Sequence, residues 1–174
     1  MVLKTSDNQI GKSARLIGNM EIGKPSLVMI ICNHCPYVTF RMPAISQLVK
    51  DYKDKFVIVA VNSNDASPNT EDSKLEDAPE FMPDFVKRWD LQCDYIFDED
   101  QSIAKDYGAV CTPEFYVINH AGIIVYHGEL DPSHTANSLL PTGSSLRHAL
   151  DLTLVNKTIE WEPNPSFGCS VKWK

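Results

Sequence analysis

Two uninterrupted apolar runs, residues 27–31 and 56–61, dominate the first third of the chain. Neither run alternates with polar residues, which is typical of strands that are covered on both faces in a parallel sheet. Between the runs, apolar residues recur at helical spacing and predict a helix over about 33–50, bent or interrupted near Pro43. The three segments together predict a right-handed βαβ unit.

Strand and helix patterns continue through the second half of the chain. The predicted elements are a helix at 81–89, a strand at 93–97, a helix at 99–107, a hairpin of 114–118 with 123–126, and a helix at about 144–155. The hairpin rests on Asn119-His120-Ala121-Gly122 between two strand-like segments. This order predicts an α/β fold with a mixed central sheet and helices on both faces.

Two segments lack any hydrophobic period. Residues 63–79 are rich in Asn, Asp, Ser and Pro and predict a surface loop inserted into the domain. Residues 156–174 predict an irregular tail that packs down through its aromatic side chains. Because 174 residues suit one domain with a real core, we expect a single domain over 1–174.

Composition narrows the classes of function. The net charge of −7 argues against nucleic acid or an anionic membrane surface as the main partner, since both need a basic footprint. The first 25 residues contain no apolar stretch of signal-peptide length, so we expect a reducing, cytoplasmic location. Five cysteines, an odd number, are then unlikely to form a disulfide framework, and a close pair needs another explanation.

The close pair is Cys32-Asn33-His34-Cys35, at the predicted end of a strand and start of a helix. A thiolate at a helix N-terminus has a lowered pKa, and this spacing lets the second sulfur resolve a mixed disulfide. A protonated His34 would lower the thiolate pKa further. We expect Cys32 to occupy the capping position, as the more exposed and more acidic thiol, and Cys35 to lie a turn inside.

Other interpretations of the cysteines remain open. A Cys-X-X-Cys pair is also half of a zinc site, but the remaining cysteines stand singly, with no second pair at zinc-knuckle spacing. Cys93 begins a predicted strand and is expected in the core. Cys111 precedes Thr112 and Pro113, and a proline at the first position of a strand is ordinary.

Four motifs in this order resemble those of the thioredoxin-like redoxins, usually grouped with the alkyl hydroperoxide reductase/thiol-specific antioxidant superfamily. They are residues 31–38 (ICNHCPYV), 61–65 (VNSND), 110–115 (VCTPEF) and 168–173 (GCSVKW). The resemblance covers about 24–173 and implies a thioredoxin-like fold. It implies Cys32 as nucleophile and Cys35 as resolving thiol. It also implies a cis Thr112–Pro113 loop that lays a substrate backbone beside the sulfur.

The chain departs from related patterns in two places. Ser26 stands where ordinary thioredoxins carry a buried acid, so the base that assists the second thiol is unidentified. Met29 stands where peroxiredoxins carry the Thr that positions peroxide.

Several nearby residues have two interpretations. Cys111 and Cys169 are either small packing residues or accessory thiols, and the sharper hypothesis folds the tail over the site with Cys169 as a third redox thiol. Asn62, Asn64 and Asp65, at the same sheet edge as Cys32, either line the site or merely turn the chain.

Three functions follow. The first is a thiol–disulfide oxidoreductase without a cofactor, acting on a disulfide-bearing protein or small thiol and reduced by a partner such as thioredoxin or glutathione. The second is a thiol peroxidase, in which Cys32 becomes a sulfenic acid that Cys35 resolves. The third is a metal chaperone or sensor that holds Cu(I) or Zn through Cys32, His34, Cys35 and Cys169.

Overall fold

The computed structural model describes residues 2–4, 8–67 and 75–174. Its strands are β1 (Val2–Lys4), β2 (Ser26–Ile30), β3 (Val57–Asn62), β4 (Asp94–Phe97), β5 (Cys111–Thr112), β6 (Glu114–Ile118), β7 (Ile124–Gly128) and β8 (Phe167–Ser170). Its helices are α1 (Pro36–Tyr52), α2 (Met82–Trp89), α3 (Ser102–Asp106) and α4 (Ser144–Leu154), with short 3-10 turns at Leu75–Asp77 and Pro79–Phe81. No helix in these described ranges combines the length and the apolar character needed to cross a membrane.

The central sheet has five strands in the order β4-β3-β2-β6-β7. β2, β3 and β4 run parallel, whereas β6 pairs antiparallel with both β2 and β7. The predicted mixed sheet is confirmed, and β2, α1 and β3 form the expected βαβ unit. Helix α1 continues past Pro43, so the expected interruption is absent.

Side chains of β2 supply two separate cores, which explains its uninterrupted apolar sequence. Leu27 and Met29 pack on one face with residues of α1 and α4. Val28 and Ile30 pack on the other face with residues of α3. Since neighbouring strand residues point to opposite faces, a strand covered on both sides has no polar position.

The C-terminal segment is not wholly irregular, and the prediction for 156–174 is corrected here. Strand β8 lies between β1 and β5 in a small antiparallel sheet. Thr112 of β5 is the register partner of Cys169. The two backbones approach so closely that a Cβ on Gly168 would overlap the Thr112 carbonyl oxygen, so glycine is required there. A four-residue strand is too short to show a period in sequence.

The predicted surface loop at 63–79 is also corrected. Residues 68–74 lie outside the described ranges, but both described ends turn inward: Ser63, Asn64, Asp65 and Asp77 are at most 3% exposed. Their polar groups are hydrogen-bonded to one another and to the C-terminal segment, which compensates their burial. Polar composition alone does not distinguish such a network from a solvated loop.

Candidate active site

The cysteine motif connects β2 to α1, as expected, but the helix begins later than expected. Pro36 occupies the first helical position, where its fixed φ and missing N–H suit the helix start. Cys35 is therefore the N-cap residue, and Cys32 lies three positions before it. The prediction that Cys32 caps the helix is wrong.

The two sulfurs face the loop that precedes β6. Cys32 Sγ lies 3.4 Å from Thr112 Oγ1, and Cys35 Sγ lies 3.4 Å from the Thr112 carbonyl oxygen. The Thr112–Pro113 peptide is cis, as the resemblance implied, and Thr112 lies within contact distance of the Cys32 sulfur. All five cysteines are unbonded, so the pair is a dithiol. Cys32 and Cys35 are both fully buried, and the prediction that Cys32 is the more exposed is wrong.

The thiolate charge of the reduced pair is favoured on Cys35. Hydrogen bonding from Cys32 is the largest cause that lowers the pKa of Cys35, to about 5, helped by Cys169, Thr112 and the Val38 backbone. Burial raises the pKa of Cys32 well above its ordinary value, and the neighbouring Cys35 and Asp77 add to this. The expected order of acidity is therefore reversed, because burial raises the pKa of Cys32, with Asp77 adding to this, whereas the hydrogen bond from Cys32 lowers the pKa of Cys35.

Asp77 is a site residue that sequence reasoning missed. Its carboxylate accepts hydrogen bonds from the backbone N–H of Asn33 (2.7 Å) and His34 (3.2 Å) and from Asn64 Nδ2 (2.8 Å). A carboxylate oxygen of Asp77 lies within 4.8 Å of the Cys32 sulfur. The acid that is absent at Ser26 is thus supplied by a 3-10 turn far along the chain. Because the neighbouring Glu76 is also acidic, the residue type alone did not indicate which carboxylate faces the cysteines.

His34 directs its ring at Asp77. Its Nδ1 forms a hydrogen bond with the carboxylate, and the predicted tuning role remains a prediction. Within the described ranges, Cys32, His34 and Asp77 form one group whose potential ligand atoms all lie within 4.8 Å of one another. This group shares Cys32 and His34 with the predicted metal site, but it contains Asp77 in place of Cys35 and Cys169.

Two asparagines, one at the end of β3 and one just after it, form hydrogen bonds that hold the site together. Asn62 Nδ2 donates to the Asp77 carbonyl (2.8 Å), and Asn64 Oδ1 accepts from the Lys172 backbone N–H (2.9 Å). The Asp65 N–H donates to the Lys172 carbonyl at 2.7 Å. These residues connect the 3-10 turn and the C-terminal segment to the end of β3. They therefore do more than turn the chain, which was one of the two interpretations of the sequence.

A second buried pair holds the loop before Pro113. Glu114 accepts from the backbone N–H of Val110 (2.9 Å) and Cys111 (3.3 Å), and its other oxygen lies 2.7 Å from His127 Nε2. Both side chains of the pair are buried. Glu114 belongs to the VCTPEF motif, but its partner is contributed by β7, and no spacing in the sequence indicates His127.

The three remaining cysteines differ in position. Cys169 is partly exposed, and its S–H donates to the Cys35 sulfur. Cys111 is fully buried beside Thr112, and alternation along β5 turns its side chain away from the pair. Cys93 is partly buried against the core rather than fully buried, and burial raises its pKa to about 12.

Residues 3–127 match the sequence model of the AhpC/TSA family, which is more than half of the chain. The chain belongs to this family. A curated relative of this redoxin is the thioredoxin-like protein YneN of Bacillus subtilis (strain 168), 28% identical over 102 residues. That match covers 59% of this chain and 54% of YneN, so the redoxin spans about half the length of this relative.

Solved structures place the fold. A crystal structure of an uncharacterised conserved protein from Geobacillus kaustophilus is 33% identical, with a TM-score of 0.90 and 100% of this chain and 97% of that chain covered. A thioredoxin-like protein solved in its oxidised form gives 18% identity and a TM-score of 0.59 over 85% and 93% of the two chains. A secreted Mycobacterium tuberculosis disulfide oxidoreductase, homologous to E. coli DsbE, is 16% identical, with a TM-score of 0.55. That match covers 74% of this chain and 81% of the oxidoreductase. The redoxin has a thioredoxin-like fold.

Proposed function

We propose that this redoxin is a thiol–disulfide oxidoreductase whose reacting groups are Cys32 and Cys35. The observation that supports this most strongly is the position of two adjacent reduced cysteines at the start of α1, with each sulfur 3.4 Å from an oxygen of Thr112. A thiolate is the nucleophile in thiol–disulfide exchange, and a neighbouring thiol completes the reaction. Membership of a redoxin family and the thioredoxin-like fold agree with this proposal.

The proposed reaction begins at Cys35. Its thiolate attacks one sulfur of a substrate disulfide, the substrate S–S bond breaks, and the first substrate thiolate leaves. Cys32 then loses its proton to Asp77 and attacks the Cys35 sulfur, which releases the second substrate thiolate. The protein retains a Cys32–Cys35 disulfide, and the substrate gains two electrons. This order of attack reverses the one implied by the family resemblance, because the structure favours the thiolate on Cys35.

Thr112 and Pro113 are the proposed substrate-binding residues. Thr112 lies directly beside both sulfurs and Pro113 follows it in the chain, so a backbone held there would present a disulfide to the pair. The proposed substrate is a disulfide-bearing protein or a small disulfide, with thioredoxin or glutathione as reductant. A cytoplasmic location is part of the proposal, although the M. tuberculosis oxidoreductase of similar fold is secreted. Cell fractionation tests that part.

Turnover of a peptide disulfide with glutathione as reductant tests the proposal. Wild type should be active, and Cys35→Ser and the double variant Cys32→Ser/Cys169→Ser should each lose the activity. Cys93→Ser, a change at a partly buried cysteine outside the site, should retain it. The double variant should also accumulate a mixed disulfide on Cys35, since no neighbouring thiol is left to resolve it. An adduct trapped on Cys32 in Cys35→Ser, with none on Cys35 in the double variant, would restore the original order of attack.

A peroxidase remains the second candidate because the family includes thiol-specific antioxidants by name. Met29 is buried within β2 and offers no hydroxyl to hold peroxide. Peroxide consumption coupled to thiol oxidation separates this candidate from disulfide exchange, since it requires no disulfide substrate.

Metal binding is the third candidate, favoured by the grouping of Cys32, His34 and Asp77. Sulfur, imidazole nitrogen and carboxylate oxygen are all donors that Zn²⁺ accepts. Metal analysis of protein purified without chelator tests it, with Asp77→Asn as the variant that removes the carboxylate donor.

A further inference from the structure

Three thiols, not two, meet at Cys35. Register pairing of β8 with β5 sets Cys169 opposite Thr112, the residue that contacts both sulfurs of the pair. Cys169 packs against the core cluster that contains Cys32 and Cys35, and hydrogen bonding from both Cys32 and Cys169 lowers the pKa of Cys35. Cys35 therefore stands between two thiols, and either one is placed to form a disulfide with it.

Helix α1 fixes the position of Cys169 beside Cys35. The ring centroids of Tyr37 and Phe167 lie 5.4 Å apart in an edge-to-face contact. Arg41, which is buried, donates to the Phe167 carbonyl at 3.5 Å. With the close approach of Gly168 to Thr112, these contacts hold β8 against the cap of α1. The nearness of Cys169 to the pair is thus a property of the backbone and not of one flexible side chain.

Exposure separates the three thiols. Cys32 and Cys35 have no accessible surface, whereas Cys169 is partly exposed. A disulfide between Cys32 and Cys35 has no accessible surface and is reached only by a partner docked at Thr112 and Pro113, whereas a disulfide that includes Cys169 is open to a small external thiol. Reductant access depends on which of the two disulfides is present.

We propose that Cys169 carries the disulfide from the buried pair to the surface, where a thiol of the glutathione class reduces it; this rests on the proposed function. Cys169 loses its proton and attacks the Cys35 sulfur. The Cys32–Cys35 bond breaks, the Cys35–Cys169 bond forms, and Cys32 leaves and takes up the proton.

Reduction then uses two external thiols. The first attacks the Cys169 sulfur and forms a mixed disulfide, and Cys35 leaves as a thiolate. The second attacks the reductant sulfur of that mixed disulfide, which releases Cys169 as a thiol and the reductant as its own disulfide. Two electrons pass from the two external thiols to the protein. Cys35 is a good leaving group because hydrogen bonds from Cys32, Thr112 and the Val38 backbone lower its pKa.

The new disulfide is tested first in Cys32→Ser. Treatment with glutathione disulfide should yield an intramolecular Cys35–Cys169 bond, found by peptide mass mapping, with loss of both thiols. Cys35 carrying glutathione while Cys169 remains a free thiol would overturn the proposal. This variant leaves Cys169 and β8 unchanged, so failure of a Cys169 variant to fold does not affect the result.

The relay is tested by the rate at which glutathione reduces the pre-oxidised protein. Cys169→Ser and Cys169→Ala should slow the reduction by about tenfold or more, because the Cys32–Cys35 disulfide that remains has no accessible surface. Cys93→Ser should leave the rate unchanged. Equal rates in wild type and the Cys169 variants would refute the relay while leaving the proposed function intact. Absence of the Cys32–Cys35 disulfide in wild type and in both Cys169 variants would refute the proposed function itself.

Discussion

Replacing Cys32 with alanine should raise the pKa of Cys35. The thiol of Cys32 is the largest of the favourable contributions that lower this pKa from 9.0 to about 5, a difference of about 4 units. Cys169, Thr112 and the Val38 backbone lower it further, and burial opposes them. A hydrogen bond to a charged group contributes about 1.5–3 kcal/mol. Since one pKa unit corresponds to about 1.4 kcal/mol, loss of the Cys32 thiol should raise the pKa by about 1–2 units.

The expected midpoint in Cys32→Ala is therefore about 6 or higher. Thiolate absorbance near 240 nm, followed against pH, reports it directly. Wild type should show one thiolate that titrates with a midpoint of about 5 and is absent in Cys35→Ser. Cys32→Ser is the matched control, since its hydroxyl still donates a hydrogen bond and the shift should be smaller than in the alanine variant.

An unchanged midpoint in Cys32→Ala would refute the reasoning, because the leading cause of the lowered pKa would have been removed without effect. Wild-type protein without any thiolate near pH 5 would refute it more fundamentally. In that case Cys35 does not carry the charge, and the proposed order of attack fails.

Three further predictions concern stability and the second step. Because the folded pKa of Cys35 (about 5) lies below its ordinary 9.0, unfolding free energy of the reduced protein should rise with pH between these values, by up to about 1.4 kcal/mol per pH unit. This contribution to stability is complete above pH 9 and is lost as the pH falls through 5. Denaturant titrations at several pH values should show that the unfolding free energy rises more steeply with pH in wild type than in Cys35→Ser. Equal slopes for the two proteins across this window would contradict the prediction. Asp77→Asn should lower the pKa of Cys32 and prolong the mixed disulfide in a quenched time course, whereas Glu76→Gln, an exposed neighbouring change, should do neither. Gly168→Ala should destabilise the protein by about 1–3 kcal/mol through overlap with the β5 backbone, seen as a lower Tm; an unchanged Tm would show that β8 does not need this close approach.

The sheet could be predicted because its determinants are local. The apolar runs that became β2 and β3 and the helical period of α1 report burial directly along the chain. Strand β8 could not be predicted in this way, since it exists through pairing with β1 and β5, far away in sequence. Its four residues include a glycine whose purpose is visible only from the neighbouring backbone.

The residues of the site also differ in whether local sequence or distant contacts determine them. Cys32, Cys35 and the Thr112–Pro113 loop were predictable because the motif spacing and the family resemblance both carry them. The order of acidity was not, because it depends on the burial of Cys32, on the groups that hydrogen-bond Cys35, and on Asp77, which arrives from a polar loop. A carboxylate in such a loop is usually solvated, and only its burial against His34 shows that it belongs to the site.

The central claim is tested most directly by a redox titration of the wild-type protein in glutathione buffers, with acid trapping, alkylation and peptide mass mapping. The account predicts that Cys35 and one partner thiol are lost together in a two-electron transition, with an intramolecular disulfide as product and Cys32 as the partner whenever Cys169 is replaced by serine. Cys32 and Cys35 that both remain thiols in oxidising buffer, or a Cys35 that retains a single glutathione while Cys32 stays free, would contradict it.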